Sequence, residues 1–163
     1  IIVRSASVVG YAPNMRFDIT LNKMTHDAYK TGVITVNGGE QYRSHIHIDD
    51  LCDFYRKALT ECVGGETYTV SAISEQIKTS AENVKRTFHE SGLDVRIDLK
   101  PRTDDRSYAN EIGNQLPGWT PKKSPFEGVN DLIWRFQHGM WKFQNGMWKD
   151  TSDELLWRIN RGI

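Results

Sequence analysis

Apolar residues recur along the chain in two periods, and the switching between them predicts strands alternating with helices. Residues 1–9, Ile1 through Val9, read as a strand that ends at Gly10. Gly10 to Asn14 reads as a loop, because Pro13 excludes regular pairing. From Met15 to Lys30, the residues Met15, Ile19, Met24 and Ala28 fall on one helical stripe, and Gly32 is a suitable stop. Val33 to Val36 predicts a short strand closed by Gly38-Gly39. Ser44 to Ile48 alternates as a strand does. Asp49 or Asp50 is then placed to cap a helix carrying Leu51, Phe54, Tyr55, Ala58 and Leu59 on one side, with Gly64-Gly65 as its end.

The second half repeats the theme. Thr67 to Val70 predicts a strand. Thr79-Ser80-Ala81-Glu82 has the form of a capping box, with a helix running on through Val84 and Phe88 to Gly92. Val95, Ile97 and Leu99 alternate and mark a strand. Ser124-Pro125-Phe126-Glu127 is a second capping box with Pro at the favoured first helical position, followed by Val129, Leu132, Ile133 and Phe136. Strands alternating with helices predict an α/β fold. Residues 136–149 break the pattern: Phe136 to Lys142 is followed at once by Phe143 to Lys149, with six of seven positions identical. This is a tandem duplication, and the Gly in each copy makes it a poor helix. Trp141 and Trp148 could anchor a partner or fold back on the chain's own core.

Length and charge narrow the function classes. The 163 residues suit about one domain. Lys plus Arg is 21 and Asp plus Glu is 21, so no basic excess points to nucleic acid. Nothing approaches eighteen consecutive apolar residues, so no membrane span is expected. Cys52 and Cys62 show no metal-ligand spacing, and two reduced thiols fit a cytoplasmic compartment. The opening Ile1-Ile2-Val3 starts inside a hydrophobic element, as an excised piece would.

Candidate chemistry is sparse. Asp49 and Asp50 could be an acid/base pair, or simply a cap and a solvated first-turn charge. His45 and His47 lie two apart on a strand and face one side, a possible metal site without a third ligand at convincing spacing. There is no GxSxG, no P-loop and no GxGxxG. Arg16, Arg43, Arg102 and Arg106 each fall in or beside a loop. Converging on one cleft, they would bind a diphosphate without making the chain basic overall.

Three ordered segments then carry a resemblance. They are Arg4 to Gly10 with Pro13-Asn-Met-Arg16-Phe-Asp18; Val33 to Gly38-Gly with Arg43-Ser-His-Ile-His47-Ile-Asp-Asp50; and Asp104-Asp105-Arg106-Ser-Tyr108 with Gly118-Trp119-Thr-Pro121 and Phe126-Glu-Gly128-Val129. In order and spacing, residues 1 to about 137 resemble the C-terminal, substrate-binding part of extended short-chain dehydrogenases/reductases, the NAD-dependent nucleoside-diphosphate-sugar epimerases and dehydratases. Pro117 and the duplicated tail depart from that pattern.

The resemblance implies a nucleoside-diphosphate-sugar ligand. Asn22 would give an amide to the diphosphate, and Val33, Thr35 and Val36 would form an edge for the base. Arg43 would grip the diphosphate, and Arg102 or Arg106 would reach phosphate or ribose. Ser7 stands where relatives place an Asn beside the sugar-nucleotide. It also implies NAD(P) on an N-terminal Rossmann half that lies before residue 1, together with a YxxxK pair. No Tyr in this chain has Lys four positions later. The expectation is therefore a region 1–137 that binds nucleotide-sugar, a tail 138–163 with the duplication and a helix, no catalytic residue, no metal, and no cofactor or turnover by this chain alone. A non-enzymatic binding module, a homodimer and one half of a split enzyme remain alternatives.

Overall fold

The computed structural model describes residues 1–13, 15–101 and 114–139, and the backbone of 141–144 and 147–150. The run 1–9 is two strands, not one. β1 (Ile2–Ser5) pairs in parallel with β5 (Thr67–Val70), while β2 (Ser7–Val9) pairs in parallel with β4 (Tyr42–His47). Buried Ala6 is the crossing point, and its N–H donates to the Val70 carbonyl at 2.9 Å. β4 pairs antiparallel with β6 (Ile73–Gln76), a strand too short and polar to stand out in the sequence. β3 (Val33–Asn37) pairs in parallel with β7 (Arg96–Lys100).

The helix α1 (Thr20–Thr31) starts five residues later than the stripe from Met15 suggests. Ile19 is extended, and Met15 and Phe17 pack on Leu132 and Phe136 instead. Gly32 ends α1 with φ 71°, its N–H donating to the Ala28 carbonyl at 2.8 Å. α2 (Ile48–Glu61) is capped by neither Asp. The His47 imidazole does it, Nδ1 accepting from the Asp49 N–H at 3.1 Å. Leu51, Phe54 and Ala58 are buried, whereas Tyr55 and Leu59 face solvent, since the buried stripe is narrower than the apolar one. α3 (Ile77–Glu90) begins before the expected capping box. Ser80 therefore lies inside the helix, where its hydroxyl donates to Glu75 at 2.7 Å. α4 (Pro125–Gln137) carries its capping box as expected: Glu127 accepts from the Ser124 N–H at 2.8 Å. The duplicated segment forms a hairpin of β8 (Trp141–Gln144) and β9 (Met147–Asp150). The side chains of Trp141 and Trp148, and the expected helix after 150, lie outside the described residues.

Two apolar cores lie on opposite faces of the β2–β4–β6 sheet, because successive strand residues point opposite ways. One gathers Val9, Leu21, Ile34, Val36, Val84, Phe88, Val129 and Ile133 under α1, α3 and α4. The other gathers Ile46, Leu51, Phe54, Tyr68, Val70 and Trp119 under α2. Two contacts fasten α4 across this arrangement. Asp50, buried on α2, accepts from the N–H groups of Lys122 and Lys123 at 3.1 and 2.8 Å. Gly128 on α4 lies directly against the end of β2, where a Cβ would meet the Gly10 Cα and N at 3.0 Å.

An exposed helical Gly→Ala exchange gains about 1 kcal/mol. Gly128→Ala should do the reverse, costing ~1–3 kcal/mol, because its methyl meets backbone atoms that cannot rotate away. Urea unfolding of the two proteins checks the sign.

Candidate functional site

Strand alternation sets the first cavity. On β3 it turns Ile34 and Val36 into the core and leaves Thr35 and Asn37 outside. The turn after β3 is held by Gln41, a buried residue that the sequence did not flag. Its Oε1 accepts from the Gly39 N–H at 2.7 Å, and its Nε2 donates to the Asn37 carbonyl at 2.6 Å. This fixes β4 against β3 and brings Arg43 to Thr35, Val36 and Asn37. Asp18, Thr20, Lys23, Met24 and Asp27 of the α1 side complete a cavity of about 300 Å³. Burial pushes the Asp27 carboxyl up, but Lys23 and His26 outweigh it and hold it below its usual value, so it stays ionised. Asp18 is paired with Arg16.

A second cavity, about 380 Å³, lies along β2. Ser7, Val8 and Gly10 line one wall, and Ala12, Met15, Arg16, Ile19 and Asn22 line the others. Asn22 is almost wholly buried. Its side-chain N–H groups donate to the Val8 carbonyl at 3.3 Å and the Arg16 carbonyl at 3.0 Å. Two carbonyl acceptors fix the orientation of the amide. The N–H groups assigned above to a diphosphate are therefore spent on the chain itself, holding the loop 10–16 to β2. The Oδ1 atom is buried without a hydrogen-bond partner.

The structure thus places Thr35, Val36 and Arg43 in one cavity and Ser7 and Asn22 in the next, and Val33 lines neither. Arg102 and Arg106 lie outside the described residues. A cavity of about 950 Å³ between α3 and α4 gathers none of the residues expected to meet the nucleotide-sugar, though the candidates His47 and Asp49 line it. Several of its charges are paired within it: Lys123 with Asp49 at 2.6 Å and Arg135 with Asp131 at 3.2 Å, with Arg135 also stacked over Tyr11.

Arg43, His45 and His47 form a row on one face of β4. His47 is used as the α2 cap. No group of three His, Cys, Asp or Glu that could hold a metal occurs among the described residues. No helix among them is long and apolar enough to cross a membrane. His45 is fully buried, and neither ring nitrogen has a hydrogen-bond partner. Burial, and then the neighbouring Arg43 charge, lower its pKa to about 4.

No family profile matches the chain. Solved structures do. A UDP-glucuronic acid 4-epimerase from Bacillus cereus, in complex with UDP-glucuronic acid and NAD, matches with TM-score 0.65 and 18% identity over 85% of this chain and 45% of its own. RMD from Pseudomonas aeruginosa, complexed with NADPH, matches with TM-score 0.66 and 14% identity over 84% of this chain and 48% of its own. A UDP-N-acetylglucosamine 4-epimerase from Methanobrevibacter ruminantium, in complex with UDP-N-acetylmuramic acid, gives TM-score 0.64 and 19% identity over 85% and 46%. The chain has the α/β fold of one part of the extended short-chain dehydrogenases/reductases. It spans a little under half the length of these neighbours.

The buried His45 makes stability depend on pH. Its ring binds a proton near pH 6.5 when unfolded but only near 4 when folded. The unfolded state therefore holds more protons between those values, and stability falls as pH drops from about 6.5 to about 4. The loss is roughly 3 kcal/mol over that window. Urea midpoints for the chain and for His45→Leu, taken from pH 7 to pH 4, should diverge, with the variant losing less.

Proposed function

We propose that this chain is the nucleotide-sugar-binding part of an NAD(P)-dependent epimerase or dehydratase acting on a nucleoside-diphosphate-sugar. The observation that carries the reading is the meeting of Arg43 with the exposed side of β3 in one cavity. A guanidinium there offers paired donors to a diphosphate, and Thr35, Val36 and Asn37 offer a strand against which a flat base can lie. Arg102 and Arg106 would add positive charge from the segment after β7. The structural neighbours support the ligand class, since several were solved with UDP or UDP-sugars.

NAD(P), which the neighbours carry, needs a glycine-rich turn leading from a strand into a helix. The described helices start after Ile19, His47, Gln76 and Ser124, and none of these starts has such a turn. The residues described do not fit the dinucleotide, and no Tyr-Lys pair at YxxxK spacing occurs in the sequence. On this reading the chain binds and orients the substrate, while oxidation at the sugar belongs to another part of the parent enzyme.

A second reading, that this part works with a partner supplying the remainder, is favoured by β1. Its residues Ile2 and Ala6 donate toward β5, so Val3 and Ser5 point their backbone groups to the other edge. Among the described residues that edge has no strand beside it, and Ile2 stands exposed. Such an edge takes an added strand readily.

Calorimetric titration with UDP tests the main reading. The chain should bind UDP, and Arg43→Ala should weaken that binding by at least tenfold, the scale of one charge-assisted contact to phosphate. Equal affinities in the two proteins would remove Arg43 from the site.

A further inference from the structure

The cap of α2 is an imidazole, where a hydroxyl, carboxylate or amide is the usual choice. His47 Nδ1 accepts from the Asp49 N–H at 3.1 Å, and the side chain is only 7% exposed. An imidazole nitrogen accepts only while it carries no proton. This cap therefore depends on the charge of the ring, as a Ser or Asn cap does not. The same nitrogen stands 3.8 Å from the Asp49 carboxylate, which already takes the Lys123 Nζ at 2.6 Å. Next along the turn, Asp50 accepts the N–H groups of Lys122 and Lys123, which lead directly to the Ser124 cap of α4. One helical turn thus joins a titratable cap to the segment that starts α4.

We propose that His47 is a proton-operated latch between α2 and α4. With the ring neutral, Nδ1 caps α2 and Lys123 holds the Asp49 carboxylate. With a proton from solvent on Nδ1, that nitrogen becomes a donor and can no longer accept the Asp49 N–H. It turns to the Asp49 carboxylate instead, and Lys123 is displaced into the 950 Å³ cavity that all three residues line. The groups facing the ring set where this happens. Burial opposes the proton most, Asp49 favours it, Lys123 opposes it, and Asp50 and Glu127 favour it, so the ring titrates below its ordinary 6.5. The other charges on the cavity wall have partners of their own: Arg135 with Asp131 and over Tyr11, and Arg86 with Glu90 on α3 at 4.0 Å. With the folded value below the unfolded one, the unfolded chain holds more protons in that window. The stability that the cap contributes is therefore present above about 6.5 and lost as pH falls through the folded value.

Nuclear magnetic resonance on the full chain, labelled with ¹⁵N, tests the latch. At about pH 7 a coupling across the hydrogen bond should link His47 Nδ1 to the Asp49 amide nitrogen. It should vanish as the ring takes its proton, and the amide resonances of Lys122 and Lys123 should move with the same midpoint. Those two amides should then exchange with solvent roughly fivefold faster, relative to an unfolded peptide at the same pH, the scale of one helix cap. His47→Asn supplies an acceptor that does not titrate, and it should keep all three amides unmoved between about pH 7 and 4.5. His45 has ring resonances of its own and is read separately. The latch is overturned if Nδ1 carries a proton at neutral pH, since the ring then cannot cap. It is overturned equally if the three amides shift with a midpoint other than that of the His47 ring, or shift as much in His47→Asn. The tautomer and the midpoints need only the wild-type chain, so they decide the matter even if the variant does not fold.

Discussion

At the end of β2 the backbone of Gly10 lies against the backbone of Gly128, with no room for a side chain on Gly128. This contact sets how closely α4 approaches the sheet. α4 in turn closes one side of the first core through Val129 and Ile133, and its Leu132 and Phe136 receive Met15 and Phe17. The loop 10–19 is thereby held down between α4 and α1. Asp50 secures the other end of the same arrangement by accepting two backbone N–H groups just before α4.

The placing of the two cavities follows from this frame. With the loop pinned, α1 stands between the β3 cavity and the β2 cavity, turning Lys23 and Asp27 to one and Ile19 and Asn22 to the other. The same three-stranded sheet that separates the two cores presents Arg43 and His45 in a row, with Ser7 opposite His45. Structural rigidity and the lining of both cavities are thus supplied by the same strands. Asn22 shows the overlap most clearly: its amide nitrogen holds the loop, and the residue lines the β2 cavity.

Much of the element order was readable in the sequence because it depends on local signals. The Ser124 capping box, Gly32 as a helix stop, and the strands at 67–70 and 33–36 all rest on chemistry within a few residues. What escaped depended on distant partners. The break at Ala6 exists only because β5 and β4 claim opposite halves of one apolar run. His47 is the helix cap because α2 starts at Ile48, which puts Asp49 and Asp50 inside its first turn, where they meet Lys122 and Lys123 more than seventy residues on. The grouping of Thr35, Val36 and Arg43 followed from the resemblance to a family. Periodicity alone did not suggest it. The division of Ser7 and Asn22 into a separate cavity, the part of Gln41 in setting the β3–β4 turn, and the unmatched state of His45 needed three-dimensional contacts.

The central claim is that the cavity where Arg43 meets β3 reads a nucleotide-sugar. A crystal structure of the chain grown with UDP-glucose tests it most directly. The account predicts the base along β3 and the diphosphate against the Arg43 guanidinium. Ligand density in the groove between α3 and α4, with the Arg43 cavity empty, would contradict it.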